Sequence, residues 1–217
     1  MSVVLSASGV VKPGQYPEFV AQASEISKIY QRLGAKPPRL MSAGFAGEAT
    51  GTWNYNIEYD DLDSFGEAMD RQQADEEFQV FMLRLQEPNN PSTVTSVVVA
   101  SELPLREAKG GQGPVSAVYA TRINPGGLER SLEIGARVNA FVEAHGAVNA
   151  RLFNVIGGGS GPGLYVSSWE FENVRSYAKA IGAFGTEPEG QAIAVTVTAV
   201  DAPNMLVFEA VYTEIPI

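Results

Sequence analysis

The chain has 217 residues, 45% of them hydrophobic and 18% charged, the make-up of an ordinary globular protein with room for one large domain or two small ones. Its formal charge of −10, with no block of Lys or Arg, argues against nucleic acid as a partner, because a polyanion meets an average repulsion. The lack of cysteine excludes disulfides, thiolate metal sites and cysteine nucleophiles, and a single histidine, His145, makes a multi-histidine metal centre or a Ser-His triad hard to assemble.

In chain order, "MSVVLSASGVVKPG" lacks the basic leader and long apolar run of a signal peptide. No apolar stretch approaches the ~20 residues that span a bilayer, so a cytoplasmic setting with no membrane partner is expected. Residues 2–11 predict a strand that ends at Pro13-Gly14. In "QYPEFVAQASEISKIYQRLG", Phe19, Ala23, Ile26 and Tyr30 recur at helical spacing, and Gly34 is placed to end the helix. Two strand-like runs, 38–46 and 52–60, follow as a hairpin, and Asp60 or Asp61 is an N-cap for a second helix. "DEEFQVFMLRLQ" continues helically, and "STVTSVVVASEL" is the last strand of the unit. The order βαββαβ is that of a split βαβ, or ferredoxin-like, unit.

The rest of the chain repeats this pattern. At an offset of 112, residues 1–105 fall on 113–217 without a gap. Pro13-Gly14 meets Pro125-Gly126, Gly34 meets Gly146, Arg39 meets Arg151, Glu58 meets Glu170, and Glu102 meets Glu214. So many matches at one offset indicate a duplication, with repeats at 1–105 and 113–217 joined by a charged, Gly-rich linker at 106–112. The offset also decides "GGGSGPG" (157–163), which lies where the first copy joins two strands of a hairpin. A phosphate loop must run from a strand into a helix N-terminus, and "LYVSSWEF" does not begin a helix, so the glycines predict a hairpin turn. "AIAVTVTAV" (192–200) has strand propensity but aligns with the helical "VFMLRLQEP", and the repeat predicts a helix.

With their PG-x-x-x-x-F helix start and aromatic hairpin ("VKPGQYPEFVAQ", "GTWNYNIEYDDLDSFGEAM", "DEEFQVFM"), the two units resemble the dimeric α/β-barrel superfamily, most closely its NIPSNAP and antibiotic-biosynthesis-monooxygenase types. The resemblance implies an α+β fold in which two ferredoxin-like units of one chain pack sheet to sheet into a barrel. It also implies cofactor-independent oxygenation, cyclisation or isomerisation of a small apolar or aromatic molecule. Fold alone does not choose among these, and a non-catalytic ligand-binding or scaffold protein is the other reading. No cofactor or metal is expected. A small-molecule ligand is the expected partner, and a homodimer of the whole chain is compatible with the fold.

Strand alternation sorts the candidate residues. Trp53, Tyr55, Ile57 and Tyr59 share one face of the third strand, with Trp169 on the matching face of the second copy, and they serve either as core under the helices or as a wall for substrate. Asn54, Asn56, Glu58, Ser168 and Glu170 then face the barrel interior. Two carboxylates enclosed near each other tend to have raised pKa values and could act as general acid or base; otherwise they form a polar seam. Glu209 stands in "MLVFEAVYT" where the first copy has Val97, and Arg122 replaces Val10, so the two are read as a catalytic acid with its partner or as a structural ion pair. These substitutions and the glycine run as a lid favour a site in the second copy. Arg39 and Arg151 either clamp an anion or make structural contacts, and His145 either caps its helix or, in analogy to related tandem barrels, ligates haem.

Overall fold

Strand-forming Val/Ser alternation sets the first element, and a computed structural model describes residues 1–105, 111–159 and 161–217. Strand β1 (Val3–Val11) leads into α1 (Tyr16–Arg32), followed by β2 (Arg39–Phe45), β3 (Trp53–Tyr59), α2 (Leu62–Ala74), α3 (Glu76–Arg84) and β4 (Ser92–Leu103). The second half runs in the same order: β5 (Val115–Ile123), α4 (Leu128–Ala144), β6 (Ala147–Gly157), β7 (Leu164–Phe171), α5 (Val174–Thr186), α6 (Pro188–Thr198) and β8 (Asn204–Ile215). The expected linker falls largely on residues 106–110, outside the described residues.

Local signals explain the boundaries. Gly34 and Gly146 follow α1 and α4 with φ of 109° and 111°, a backbone conformation that side chains disfavour. Of the two candidate N-caps, Asp61 is used: its carboxylate accepts from the Ser64 amide at 2.8 Å, as Asn173 does from Ser176 at 2.9 Å. The segment expected as one continuing helix is broken, because Asp75 leaves the helix at φ −88°, ψ 115° and caps α3 by accepting from the Phe78 amide at 2.8 Å.

α6 is helical despite its β-branched composition. Pro188 occupies its first turn, Ile193 and Gly190 bury one narrow face, and Thr196 and Thr198 donate to the carbonyls of Ala192 and Ala194, each at 2.8 Å. Packing against α5 outweighs an intrinsic preference that spans about 1 kcal/mol per residue.

All strand pairs are antiparallel, and they close into one eight-stranded barrel in the order β1-β3-β2-β8-β5-β7-β6-β4. The expected barrel is formed as one continuous closed sheet, its two halves hydrogen-bonded edge to edge through β2–β8 and β4–β6. A row of unpaired N–H and C=O groups on each edge is thereby satisfied. Helices cover the outside over two apolar clusters, one holding Phe19, Trp53, Tyr59 and Phe81, the other Phe141, Trp169, Phe171 and Ile193. Two smaller clusters, around Met41 and Tyr212 and around Phe153 and Val155, fill part of the barrel interior.

The run 157–163 joins antiparallel β6 and β7 as a turn, with Ser160 outside the described residues. Gly158 has φ 93°, and a Cβ built on it would lie 2.1 Å from the Val97 carbonyl oxygen of β4. We expect Gly158→Ala to destabilise the protein by about 2 kcal/mol or more, read from chemical denaturation, because strain and clash add.

Candidate functional site

Among the described residues a cavity lies on each side of the sheet. One lies inside the barrel, with a volume of about 420 Å³. Its β1–β3 wall is polar, since register pairs Ser6 with Asn56 and Ser8 with Asn54. The Asn54 amide donates to Ser6 at 2.8 Å and Ser8 at 3.0 Å, while Ser116 and Ser168 meet at 3.3 Å across β5 and β7. Met41, Phe153, Phe208 and Val166 supply apolar walls.

One mouth of the barrel is closed by two matching ionic clusters. Arg39, on β2, reaches Glu214 on neighbouring β8 at 2.8 Å and Glu170 on β7 at 3.0 Å. Arg151, on β6, reaches Glu102 on neighbouring β4 and Glu58 on β3, each at 2.9 Å. Ser2 hydrogen-bonds to Glu102 and contacts Arg151, the Gly113 amide donates to Glu170 at 2.8 Å, and Lys36 stands 3.1 Å from Glu58. Each of these two arginines therefore holds carboxylates of the opposite half. Burial alone pushes the Glu58 carboxyl up, but Arg151 and then Lys36 outweigh it and hold it below its ordinary value. Glu102 shows the same balance, with Arg151 and Ser2 prevailing over burial. The expectation of a raised pKa from two enclosed acids is thus corrected for Glu58: an arginine stands between the halves where mutual repulsion was expected.

The second cavity, about 650 Å³, lies in the first half between the sheet and its helices. β1 and β3 give it Leu5, Ala7, Trp53 and Tyr55; α1 gives Phe19 and Tyr30; α2 and α3 give Gln72, Phe78 and Phe81. Ser27 donates to the Ala23 carbonyl at 2.7 Å, so the Tyr55 hydroxyl, 2.6 Å from Ser27, is the donor of that pair. Burial first, then nearby Tyr59, raises the Tyr30 phenol, and burial likewise raises Tyr55, so both are neutral donors. Among the described residues the Tyr30 hydroxyl has no protein partner, and the Trp53 indole nitrogen is buried without one.

The corresponding space in the second half is occupied. Where the first half has Ala7, Ile29, Ile57 and Gln72, the second has Tyr119, Phe141, Trp169 and Phe184. Tyr119 and Trp169 have ring centroids 4.4 Å apart, and Phe141 and Phe184 4.7 Å. The larger cavity therefore belongs to the first half, whereas the substitutions had pointed to the second.

The structure brings Asn54, Asn56, Glu58, Ser168 and Glu170 together at the barrel interior, and it sets Trp53, Tyr55 and Trp169 on the helix-covered faces. Glu209 and Arg122 are not partners. Glu209 is exposed opposite Tyr119 on the helix side, and Arg122 follows Val118 and Ala120 at the interior parity near the end of β5. Burial first, then Tyr177 and Glu209, raise the Tyr119 phenol. Tyr30, Ala7 and Gln72 were missed. For Ala7 and Gln72 the signal was the contrast with the aromatic Tyr119 and Phe184 at the same offset, and for Tyr30 the reverse contrast with Val142, which show only when outward-facing positions are compared pair by pair.

His145 caps α4. Its Nδ1 lies 2.7 Å from the Phe141 carbonyl and its Nε2 2.9 Å from Glu187, and its ring packs on Phe141 at 4.2 Å. With both nitrogens engaged and aromatic rings filling the adjoining space, these residues do not fit a haem, and no step is routed through one. Among the described residues no group of three or more His, Cys, Asp or Glu could hold a metal, and no helix is long and apolar enough to cross a membrane.

No family model matches the sequence, and no curated protein matches it. Solved structures do. A candidate monooxygenase from Lactobacillus acidophilus matches with a TM-score of 0.63 at 11% identity, over 99% of this chain and 94% of that one. An anthrone oxidase-like protein matches at 0.57 and 14% identity, over 99% and 91%, and a chlorite dismutase variant from Candidatus Nitrospira defluvii at 0.56 and 8%, over 99% and 92%. Identities this low speak for the fold alone. Element order, barrel closure and these likenesses together give this chain the fold of the dimeric α/β-barrel proteins.

Proposed function

We propose that the chain binds a small apolar or aromatic molecule in the helix-side cavity of its first half and acts on it without a cofactor. The observation that carries this is the cavity itself: about 650 Å³, lined mainly by apolar and aromatic side chains, with the Tyr30 phenol and the Gln22 and Gln72 amides in its wall. A neutral phenol stabilises negative charge that builds on a carbonyl oxygen. The charged residues in the lining are Lys12, which donates to the Pro88 carbonyl at 2.7 Å, and Glu87. The arrangement suits a substrate acidic enough to lose its own proton and then react with oxygen, rather than one that needs a strong base. The names of the structural neighbours, monooxygenase and anthrone oxidase-like, agree with oxygenation among the three reactions considered.

The scarcity of a base in this cavity also supports a non-catalytic binding protein, and one experiment separates the two. Anthrone in air-saturated buffer is consumed by one O₂ per molecule to give anthraquinone and water, followed by absorbance. We expect the protein to accelerate quinone formation over buffer, and Ala7→Tyr, which copies Tyr119 into the cavity, to remove at least tenfold of that rate. Binding of anthrone with no added quinone would favour the binding protein. Unchanged binding in Ala7→Tyr would place the site elsewhere.

The proposal includes the origin of the fold: two ferredoxin-like units, 1–105 and 113–217, that arose by duplication and resemble the NIPSNAP and antibiotic-biosynthesis-monooxygenase types. The pairings Arg39–Glu170–Glu214 and Arg151–Glu58–Glu102 support it, since each residue of one set stands 112 positions from its counterpart in the other.

A further inference from the structure

We propose that the barrel interior is a second binding chamber, separate from the helix-side cavity, for a small uncharged molecule with an apolar body and a carbonyl, amide or hydroxyl edge. The strand order places β1 opposite β5 and β3 opposite β7 across the barrel. Ser6, Ser8 and Asn54 on one wall correspond to Val118, Ala120 and Val166 on the other. The ionic mouth obeys the twofold relation of the halves, and a purely structural interior could do the same. This interior does not: the β1–β3 wall carries Ser6, Ser8, Asn54 and Asn56, whereas the β5–β7 wall carries Val118, Ala120 and Val166 beside the Ser116–Ser168 pair, and such a difference in polarity is how a pocket orients an amphipathic molecule.

The polar groups on that side are also available. Among the described residues the Asn56 amide makes no hydrogen bond, and both hydrogens of the Asn54 amide go to Ser6 and Ser8, leaving its carbonyl oxygen and the two hydroxyl hydrogens to spare. Tyr212, on β8 where the first half has Ala100, is only 8% exposed, yet its hydroxyl has no partner among the described residues. Burial pushes that phenol up to about 12, so it is a neutral donor. These groups border the chamber with hydrogen-bonding capacity unused by the protein, which a matching ligand can take up.

The mouth sets the charge of the occupant. Arg39, Arg151 and Lys36 face four carboxylates, Glu58, Glu102, Glu170 and Glu214, and all three cations are engaged, Lys36 with Glu58 and Asp60. An anion meets no uncommitted cation there and a surplus of negative charge, so a neutral molecule is selected.

Methionine methyl groups distinguish the two cavities, because Met41 lines the chamber and Met82 the helix-side cavity. With ¹³C-methyl methionine, we expect 2-naphthamide to shift Met41 in a saturable way and to keep doing so in the Ala7→Tyr variant. We expect 2-naphthoate, the anion of the same shape, to shift Met41 at least tenfold more weakly. Asn56→Leu should weaken the amide by at least tenfold, and the conservative Tyr212→Phe should weaken it severalfold without loss of fold. The proposal is overturned if 2-naphthamide at its solubility limit leaves Met41 unmoved, if only Met82 responds, if the naphthoate binds as well, or if neither substitution changes the affinity. Failure of the anthrone experiment leaves this result unaffected, since the two sites are read by different methyl groups.

Discussion

Arg151→Met is expected to lower stability by about 3 kcal/mol at neutral pH, which for a chain of this length shifts Tm by about 6–12 °C. The arginine side chain is only 14% exposed and spans Glu58, Glu102 and Ser2, so its removal strands two half-buried carboxylates with no compensating charge on their inner side. The pH dependence gives the loss a signature. Both carboxylates are held below their ordinary value in the folded protein, so their contribution is complete above the unfolded value of about 4.3 and disappears as pH falls through the lower folded values. In the variant, only Lys36 beside Glu58 and Ser2 beside Glu102 still oppose the upward push of burial, which moves acid unfolding to higher pH. Denaturation curves at neutral pH and near pH 3 check this: the gap between the two proteins should be widest at neutral pH and narrow in acid. A gap independent of pH would mean that Arg151 stabilises through its aliphatic stem and its stacking on Phe153, whose ring lies 4.8 Å from the guanidinium carbon.

Trp169→Ala is expected to cost about 4 kcal/mol, the second large effect. The indole is 6% exposed, packs against Tyr119 and Phe184, and donates to Asn139 at 3.1 Å. Asn139 is itself 2% exposed and uses its amide on the Ala150 carbonyl, so truncation leaves both a void and an unpaired carbonyl oxygen. The variant should also acquire an apolar space where the second half has none of the first half's openness, and should take up benzene, detectable as a rise in Tm with added ligand. A drop below 1 kcal/mol would show that the aromatic stack collapses onto the vacancy.

The element order was legible because residue matches recur at an offset of 112, and that offset corrected the one segment where propensity misled: α6 reads as a strand in isolation and packs as a helix through Ile193 and Gly190. Which face of β3 and β7 turns inward was equally legible, since alternation alone separates Trp53 and Tyr55 from Asn54 and Asn56. What the sequence withheld was pairing across the barrel. The offset aligns Arg39 with Arg151, but nothing in it says that each reaches the carboxylates of the other half, and the expected behaviour of Glu58 was reversed for that reason. Glu209 and Arg122 looked like a pair because both depart from valine, whereas their parities lie on opposite faces. The helix-side cavity was hidden in a different way: it comes from residues smaller than their counterparts, and a missing volume leaves no motif.

Closure of the barrel also has a history within each molecule's synthesis. β2 leaves the ribosome early, but its outer partner β8 is made last, and Arg39 waits for Glu214 across 175 residues. β4 likewise waits for β6. Until β6 emerges the nascent first half carries two open edges, and until β8 emerges one, each a template for pairing with another chain, and the β2–β8 contacts that end the exposure are among the most distant in sequence. Folding of this protein is therefore governed by its final strand, and a chain stalled before residue 204 is left adhesive on both sides of the gap that β8 would fill.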